Sequence, residues 1–312
     1  TQNEEGDPDS QHNHGTYTLS ALGGRFDGEL YGPAYEAEFL LAKTEDVSQE
    51  VPIEEDQYVA GLEWGESLGA DIASSSLGYI DWYEFDDLDG MTAVTTIAVN
   101  TAIENGMVVV TAVGNSGAGG IVVPADAENV IACGAVDPDG NIASFSSQGP
   151  TADGRIKPEV CALGVSTYCA GVNSTSAYRY ENGTSLATPL VAGAAACVLQ
   201  AHPDWTPQQV REALMMTASD PENPDNQYGW GIIDVMGTIN YLFMEIVNSV
   251  IVPVDYSISR PFPNPFNPMI HFNVSIFQQS NITLTVFDIY GKEVERLWSN
   301  NIEKGVYPIQ WN

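Results

Sequence analysis

The chain has 312 residues, of which 44% are apolar, and its 42 acidic and 10 basic side chains give a formal charge of −32. A surface this negative repels nucleic acid and anionic lipid, so neither is an expected partner. The length and apolar content suffice for one large core and a small one, and no run of 18 or more apolar residues is present to span a membrane.

Residues 1–13 are polar and acidic, with no strand pattern. His14-Gly15-Thr16 follows, and Leu19 and Leu22 place a helix start in the next turn. A short apolar strand is predicted over residues 39–43. Helical periodicity through Tyr58, Val59, Leu62 and Trp64 predicts a helix over 56–68. The acidic runs Glu54-Glu55-Asp56 and Asp86-Asp87-Leu88-Asp89 read as solvated loops or helix starts. Next come a strand over 71–77, a helix over 91–105, and β-branched or apolar strands over 107–113, 129–136 and 160–165.

Asn182-Gly183-Thr184-Ser185-Leu186-Ala187-Thr188-Pro189 then leads into the uncharged run Leu190, Val191, Ala192, Gly193, Ala194, Ala195, Ala196. Closely packing alanines without an interrupting charge predict a buried helix. Pro189 is expected in its first turn, where a missing N–H has no consequence. Ser185 then sits at the helix N-terminus, among free backbone donors and positive dipole, where a developing oxyanion is stabilised. Thr206 as N-cap and Pro207 at the first helical position start a further helix over 206–218. Strands alternating with helices predict an α/β domain, a parallel sheet flanked by helices on both faces.

The pattern changes near residue 245, where Pro253, Pro261, Pro263, Pro265 and Pro268 accumulate. Strands are predicted over 271–274, 282–290, 293–297 and 305–311, with a hairpin turn at Asp288-Ile289-Tyr290-Gly291-Lys292. The expected organisation is an α/β domain over 1–245, a linker over 246–262 and a small all-β, sandwich-like module over 263–312. Cys133, Cys161, Cys169 and Cys197 fit no CxxC metal spacing. Cys133 and Cys197 read as small core residues, and one disulfide of open pairing remains compatible with the sequence.

Four blocks together carry a family resemblance. The stretch around Ser185 resembles the Gly-Thr-Ser-x-Ala-x-Pro nucleophile motif of the subtilisin-like serine peptidases. His14-Gly15-Thr16 resembles their catalytic-histidine motif, and Val110-Thr111-Ala112-Val113-Gly114-Asn115-Ser116-Gly117 their oxyanion-asparagine strand and turn. Ile142-Ala143-Ser144-Phe145-Ser146-Ser147-Gln148-Gly149-Pro150 resembles a scaffold block common in the family. The match covers roughly residues 10–240, with the blocks in the family's order. It implies a subtilisin-like fold and hydrolysis of polypeptides bound in extended form.

In that resemblance Ser185 is the nucleophile and His14 the base that takes its proton. The side-chain amide of Asn115 faces the oxyanion next to the Ser185 N–H, and Gly114 beside it is expected to bind substrate. Ser76-Leu77-Gly78 matches the segment that pairs with substrate backbone, Gly78 leaving room for a substrate side chain. The family's third member is an aspartate that ends an apolar strand well before the histidine. Here Asp7 and Asp9 precede His14 without such a strand, so that residue is expected upstream of Thr1. The family often binds structural calcium, for which 137–141 or 86–89 offers oxygens without complete EF-hand spacing. No other cofactor is implied, and no metal ligand is assigned.

Phe262-Pro263-Asn264-Pro265-Phe266-Asn267-Pro268 resembles the opening of immunoglobulin-like C-terminal modules of secreted bacterial proteins, some of them sorting signals. That implies export from a bacterial cell and contact with secretion machinery, through a module expected to be incomplete. The competing reading is a non-catalytic surface or adhesion protein that binds through a peptidase-like scaffold.

Overall fold

The computed structural model describes residues 10–241, 256–259, 270–288 and 290–311. The chain divides into two units, Thr1–Tyr241 and Leu242–Asn312. The first begins with α1 (Asn13–Gly23), a small β1 (Arg25–Phe26) and β2 (Leu30–Tyr31) ribbon, and α2 (Ile53–Ser67). β3 (Ile72–Ser75), α3 (Val94–Glu104), β4 (Val108–Ala112), β5 (Ile131–Val136) and β6 (Val160–Leu163) follow. It closes with the hairpin β7 (Thr167–Ala170) and β8 (Tyr178–Glu181), then α4 (Thr184–Ala201), α5 (Pro207–Met216) and α6 (Val235–Ile239).

Strands β3-β4-β5-β6 form one parallel sheet in that order. Every residue of β4 and β5 is buried, as a sheet covered on both faces requires. Along β4, Val108 and Val110 join a core with Val191, Ala195 and Val198 of α4, whereas Val109, with Met107 and Val113 just beyond the strand's two ends, joins a second with Val99, Ala102 and Ile103 of α3. The alternation of one strand therefore feeds two cores. α4 packs against all four strands, and small residues at Ala187, Ala192, Ala194 and Ala195 make that close approach sterically allowed. Its 18 residues are long and apolar enough to cross a membrane, but most of the helix is buried inside this unit. The predicted α/β layers are thus present, and α5 starts as expected, with Thr206 and Gln209 closing a capping box.

Two local expectations are overturned, and a third holds only in part. Residues 39–43 form no strand: Phe39, Leu40 and Leu41 lie exposed, and β3, at the sheet edge, pairs only with β4. An apolar run without a ladder partner stays irregular. Glu54 and Glu55 start α2, as one of the two readings had it, but are buried: Trp82 Nε1 and Tyr83 Oη donate to the Glu55 carboxylate at 2.6 and 2.8 Å, and the Asp46 and Val51 N–H groups donate to that of Glu54. Pro189 lies in the second turn of α4, not the first. Its missing N–H leaves the Ser185 carbonyl without an i+4 donor, and Ser76 Oγ fills that role from β3's C-terminal end at 2.8 Å.

All four cysteines are free. Cys133 lies opposite Val160 and Gly134 opposite Cys161, so the two neighbouring-strand thiols point to opposite faces of the sheet. In the second unit, β10 (Ile270–Ile276) pairs with β9 (Ser257–Ile258) and β13 (Gly305–Trp311), and β11 (Ser280–Phe287) with β12 (Glu293–Ile302), all antiparallel. Val274, Ile276 and Ile309 form its core, with Leu284, Leu297 and Trp298 packed against it. The Asp288 carboxylate accepts from the Tyr290 and Lys292 N–H groups at the β11–β12 turn. Of the expected linker, 246–255 and 260–262 lie outside the described residues, as do 262–268 with their Phe-Pro-Asn-Pro motif, and Asp7 and Asp9.

Candidate active site

The turn after β4 is built by the block at 142–150. Gly117 N–H donates to the Phe145 carbonyl at 2.7 Å, Ser147 N–H to the Gly114 carbonyl at 3.0 Å, and Ser116 N–H to Ser147 Oγ at 3.0 Å. Gly114 adopts φ 112°, and a Cβ there would stand 2.8 Å from Ser147 Oγ, so both backbone and space call for glycine. Asn115 is thereby presented to the N-terminus of α4. Its Oδ1 accepts from Thr184 N–H at 2.9 Å and from Thr184 Oγ1 at 3.1 Å. Thr184 is fully buried, and its hydroxyl also lies 3.2 Å from the Gly114 carbonyl as donor. With Oδ1 engaged, the Nδ2 amide is left to donate elsewhere.

Ser185 is the second residue of α4, so its N–H has no intrahelical acceptor. Its Oγ donates to the Ser76 carbonyl at 3.3 Å, while Ser76 Oγ donates back to the Ser185 carbonyl. This reciprocal pair locks the helix start onto the end of β3. Ser76, Leu77, Gly78, Gly114, Asn115 and Ser185 line one cleft of about 250 Å3, which Thr184 and Val122 also line. Gly78 approaches Val122 so closely that a Cβ would lie 2.3 Å from Val122 Cγ2. The Tyr79–Val123 backbone bridge fixes that approach.

His14 stands apart from this set. It lies in the first turn of α1, which packs against α4 and β7, and it does not line the cleft. Its ring keeps solvent access, yet the protein crowded around it lowers its pKa below the ordinary value, with the field of Glu181 opposing. The imidazole therefore stays neutral, and able to accept a proton, to lower pH than a free histidine.

Neither calcium candidate is an open set of ligands. Asp137 accepts from the N–H groups of Asp139 and Asn141, and Asp89 from those of Met91 and Thr92, so each carboxylate caps its own turn. Among the described residues no group of three or more His, Cys, Asp or Glu side chains is placed to hold a metal ion.

Sequence reasoning gave Thr184 no role of its own and left out Glu45 and Glu50, which line the same cleft as Ser185. Thr184 sits inside the recognised motif, where its full burial is the missing information. Glu45 and Glu50 carry no local signal, because their place depends on loop contacts made across the fold.

Comparison with known proteins fits this geometry. The model of the subtilase family matches residues 1–231. The chain is 37% identical over 234 residues to Subtilisin Savinase of Lederbergia lenta, covering 73% of this chain and 79% of that protein. It is 37% identical over 234 residues to an alkaline protease of Alkalihalobacillus alcalophilus, again over 73% of this chain but only 56% of that protein. Among solved structures, the self-cleaved protease domain of PatA superposes with a TM-score of 0.62 at 27% identity, covering 72% of this chain and 82% of that one.

Proposed function

The chain belongs to the subtilase family, and from that premise we propose that it is a serine endopeptidase cutting polypeptides bound in extended form. The observation that carries this reading is the convergence of Ser185, the Asn115 amide and the free N–H of the α4 start on one cleft. Ser185 Oγ attacks the scissile carbonyl. The tetrahedral oxyanion is held by the Ser185 N–H and Asn115 Nδ2, donors already oriented before the reaction begins. Thr184 holds the amide at the correct rotation through two bonds to Oδ1. Ser76, Leu77 and Gly78 offer backbone to the substrate as an added strand.

His14 takes the Oγ proton as general base and returns it to the leaving amine as general acid. In the unliganded protein Ser185 donates instead to the Ser76 carbonyl, and catalytic hydrogen bonds often tighten only once substrate is bound. The carboxylate that orients such a base is assigned to no residue of this chain. Glu181, whose field reaches His14, is already paired with Arg179. No cofactor is required for this chemistry, and calcium is not assigned. We further read the protein as exported from a bacterial cell, with the second unit an immunoglobulin-like module that takes no part in the chemistry and engages secretion machinery.

A fluorophosphonate probe tests the reading, because it phosphonylates a serine only where a base and oxyanion donors activate it. The expected label is on Ser185, located by peptide mass spectrometry and lost in Ser185→Ala. A label that persists in the Ala variant overturns the nucleophile, and no label on prolonged exposure favours the binding-scaffold reading.

A further inference from the structure

The cleft that holds Ser185 has an acidic wall. Glu45 and Glu50 line it together with Ser76, Gly78 and Asn115. Both sit on the loop that leads into α2, and this loop is tied down from two sides. The buried Glu54 carboxylate accepts from Asp46 N–H at 2.9 Å and Val51 N–H at 3.1 Å. Gln11 Nε2 donates to the Glu45 carbonyl at 2.7 Å, and Gln11 Oε1 accepts from Val47 N–H at 3.1 Å.

The Glu45 carboxylate is itself held. Tyr79 Oη donates to it at 2.6 Å and Thr44 Oγ1 at 3.1 Å, and both donors fall on Oε1. Among the described residues no donor reaches Oε2. The negative charges around Glu45 and Glu50 also disfavour the ionised form of both carboxylates. Burial raises the Glu45 pKa, and the charges of Glu54 and Glu50 raise it further. Burial likewise raises Glu50, with Glu54 and Asp81 adding to it. The charges reaching Glu50 are thus all negative, and a cation entering the cleft relieves repulsion already present in the free protein. A pre-positioned acceptor with an open oxygen, facing like charge, is what a charged side chain binds with least rearrangement.

We propose that Glu45 and Glu50 select a lysine or arginine side chain of the bound polypeptide, making this a cleft for basic substrates. The proposal rests on reading the cleft as the peptide site. It is separate from the overall charge of −32, which attracts cationic peptides to the whole surface and is screened by salt.

Binding to the Ser185→Ala variant tests selection without depending on turnover. Labelled extended peptides that differ only in lysine against norleucine, with the lysine moved along the chain, are titrated by fluorescence anisotropy in 0.15 M salt. At one register the lysine peptide is expected to bind about tenfold more tightly, the size of one hydrogen bond to a charged group. Adding Glu45→Gln and Glu50→Gln should bring the ratio close to one while norleucine binding is retained, which also reports that the variant is folded. Adding Glu104→Gln and Glu128→Gln, both exposed and outside the cleft, removes the same charge and should leave the ratio intact. Equal binding of lysine and norleucine peptides at every register overturns the selection but leaves the peptide cleft standing. A ratio that survives Glu45→Gln and Glu50→Gln overturns the assignment to these residues. Binding of neither peptide overturns the cleft reading itself, and this proposal with it.

Discussion

At the β6 flank of the parallel sheet, the buried pair Lys157 and Glu159 and the half-buried Arg211 answer one another's charge. Lys157 Nζ donates to Glu159 Oε1 at 2.8 Å and to the Ala127 carbonyl at 3.0 Å. Arg211 donates to the same Oε1 at 2.8 Å, and Ala132 N–H to Glu159 Oε2 at 2.8 Å. Burial still pulls the Lys157 pKa down to about 8, against the opposing pull of Glu159. At the β3 flank the hydroxyls of Tyr58 and Ser75 lie close together, buried, without completing a hydrogen bond. Earlier in the chain Phe39, Leu40 and Leu41 remain exposed. The difference teaches where the site is finished. Hydrogen bonds join Thr184 to Asn115 and Ser185 to Ser76 at the end of a sheet whose inner strands are completely buried. His14 comes from α1, outside that sheet, with no carboxylate assigned to hold its ring.

The largest effect that would break this contrast is in turnover. On the proposed reading, in which His14 is the base and no residue of the chain is assigned to orient it, casein hydrolysis is expected only in trace, since losing that orienting group costs a triad enzyme ~10⁴ in turnover. Robust casein hydrolysis that disappears in Ser185→Ala would show that the His14 side is complete after all. Next, Glu159→Gln should destabilise the first unit by about 3–5 kcal/mol in urea unfolding, because it leaves Lys157 buried without its counter-charge. A cost under about 1 kcal/mol would mean that the β6 flank is no better satisfied than the other.

On the finished side of the site, Asn115→Ala should slow fluorophosphonate labelling of Ser185 by ~10²–10³, the range for losing one oxyanion donor. An unchanged labelling rate would remove Asn115 from the oxyanion site. The smallest effect belongs to the β3 flank. Tyr58→Phe deletes a buried hydroxyl that has no partner, so unfolding should show a change within about 1 kcal/mol, neutral or stabilising. A loss of several kcal/mol would reveal a partner for that hydroxyl and weaken the comparison.

Local rules were enough for much of this protein. The β-branched runs of β4 and β5, the small-residue run of α4 and the Thr206-Pro207 start of α5 could be read directly. Each is set by near neighbours through periodicity, propensity and capping, which sequence records in order. The four motif blocks likewise pointed to Ser185, Asn115 and His14 as residues to watch, and Ser185 and Asn115 do meet in one cleft. What only the tertiary structure decided involves partners far apart in the chain. Ser76 and Ser185 are 109 positions apart, yet their reciprocal bonds are what make Pro189 tolerable within α4. Glu54 and Glu55 could not be recognised as buried until Trp82, Tyr83 and the 46–51 loop supplied donors. Residues 39–43 have the composition of a strand, but pairing depends on a neighbouring backbone, which composition does not contain. Glu45 and Glu50 entered the Ser185 cleft for the same reason: charge is written in the sequence, whereas the surface that it faces is made only when the chain folds.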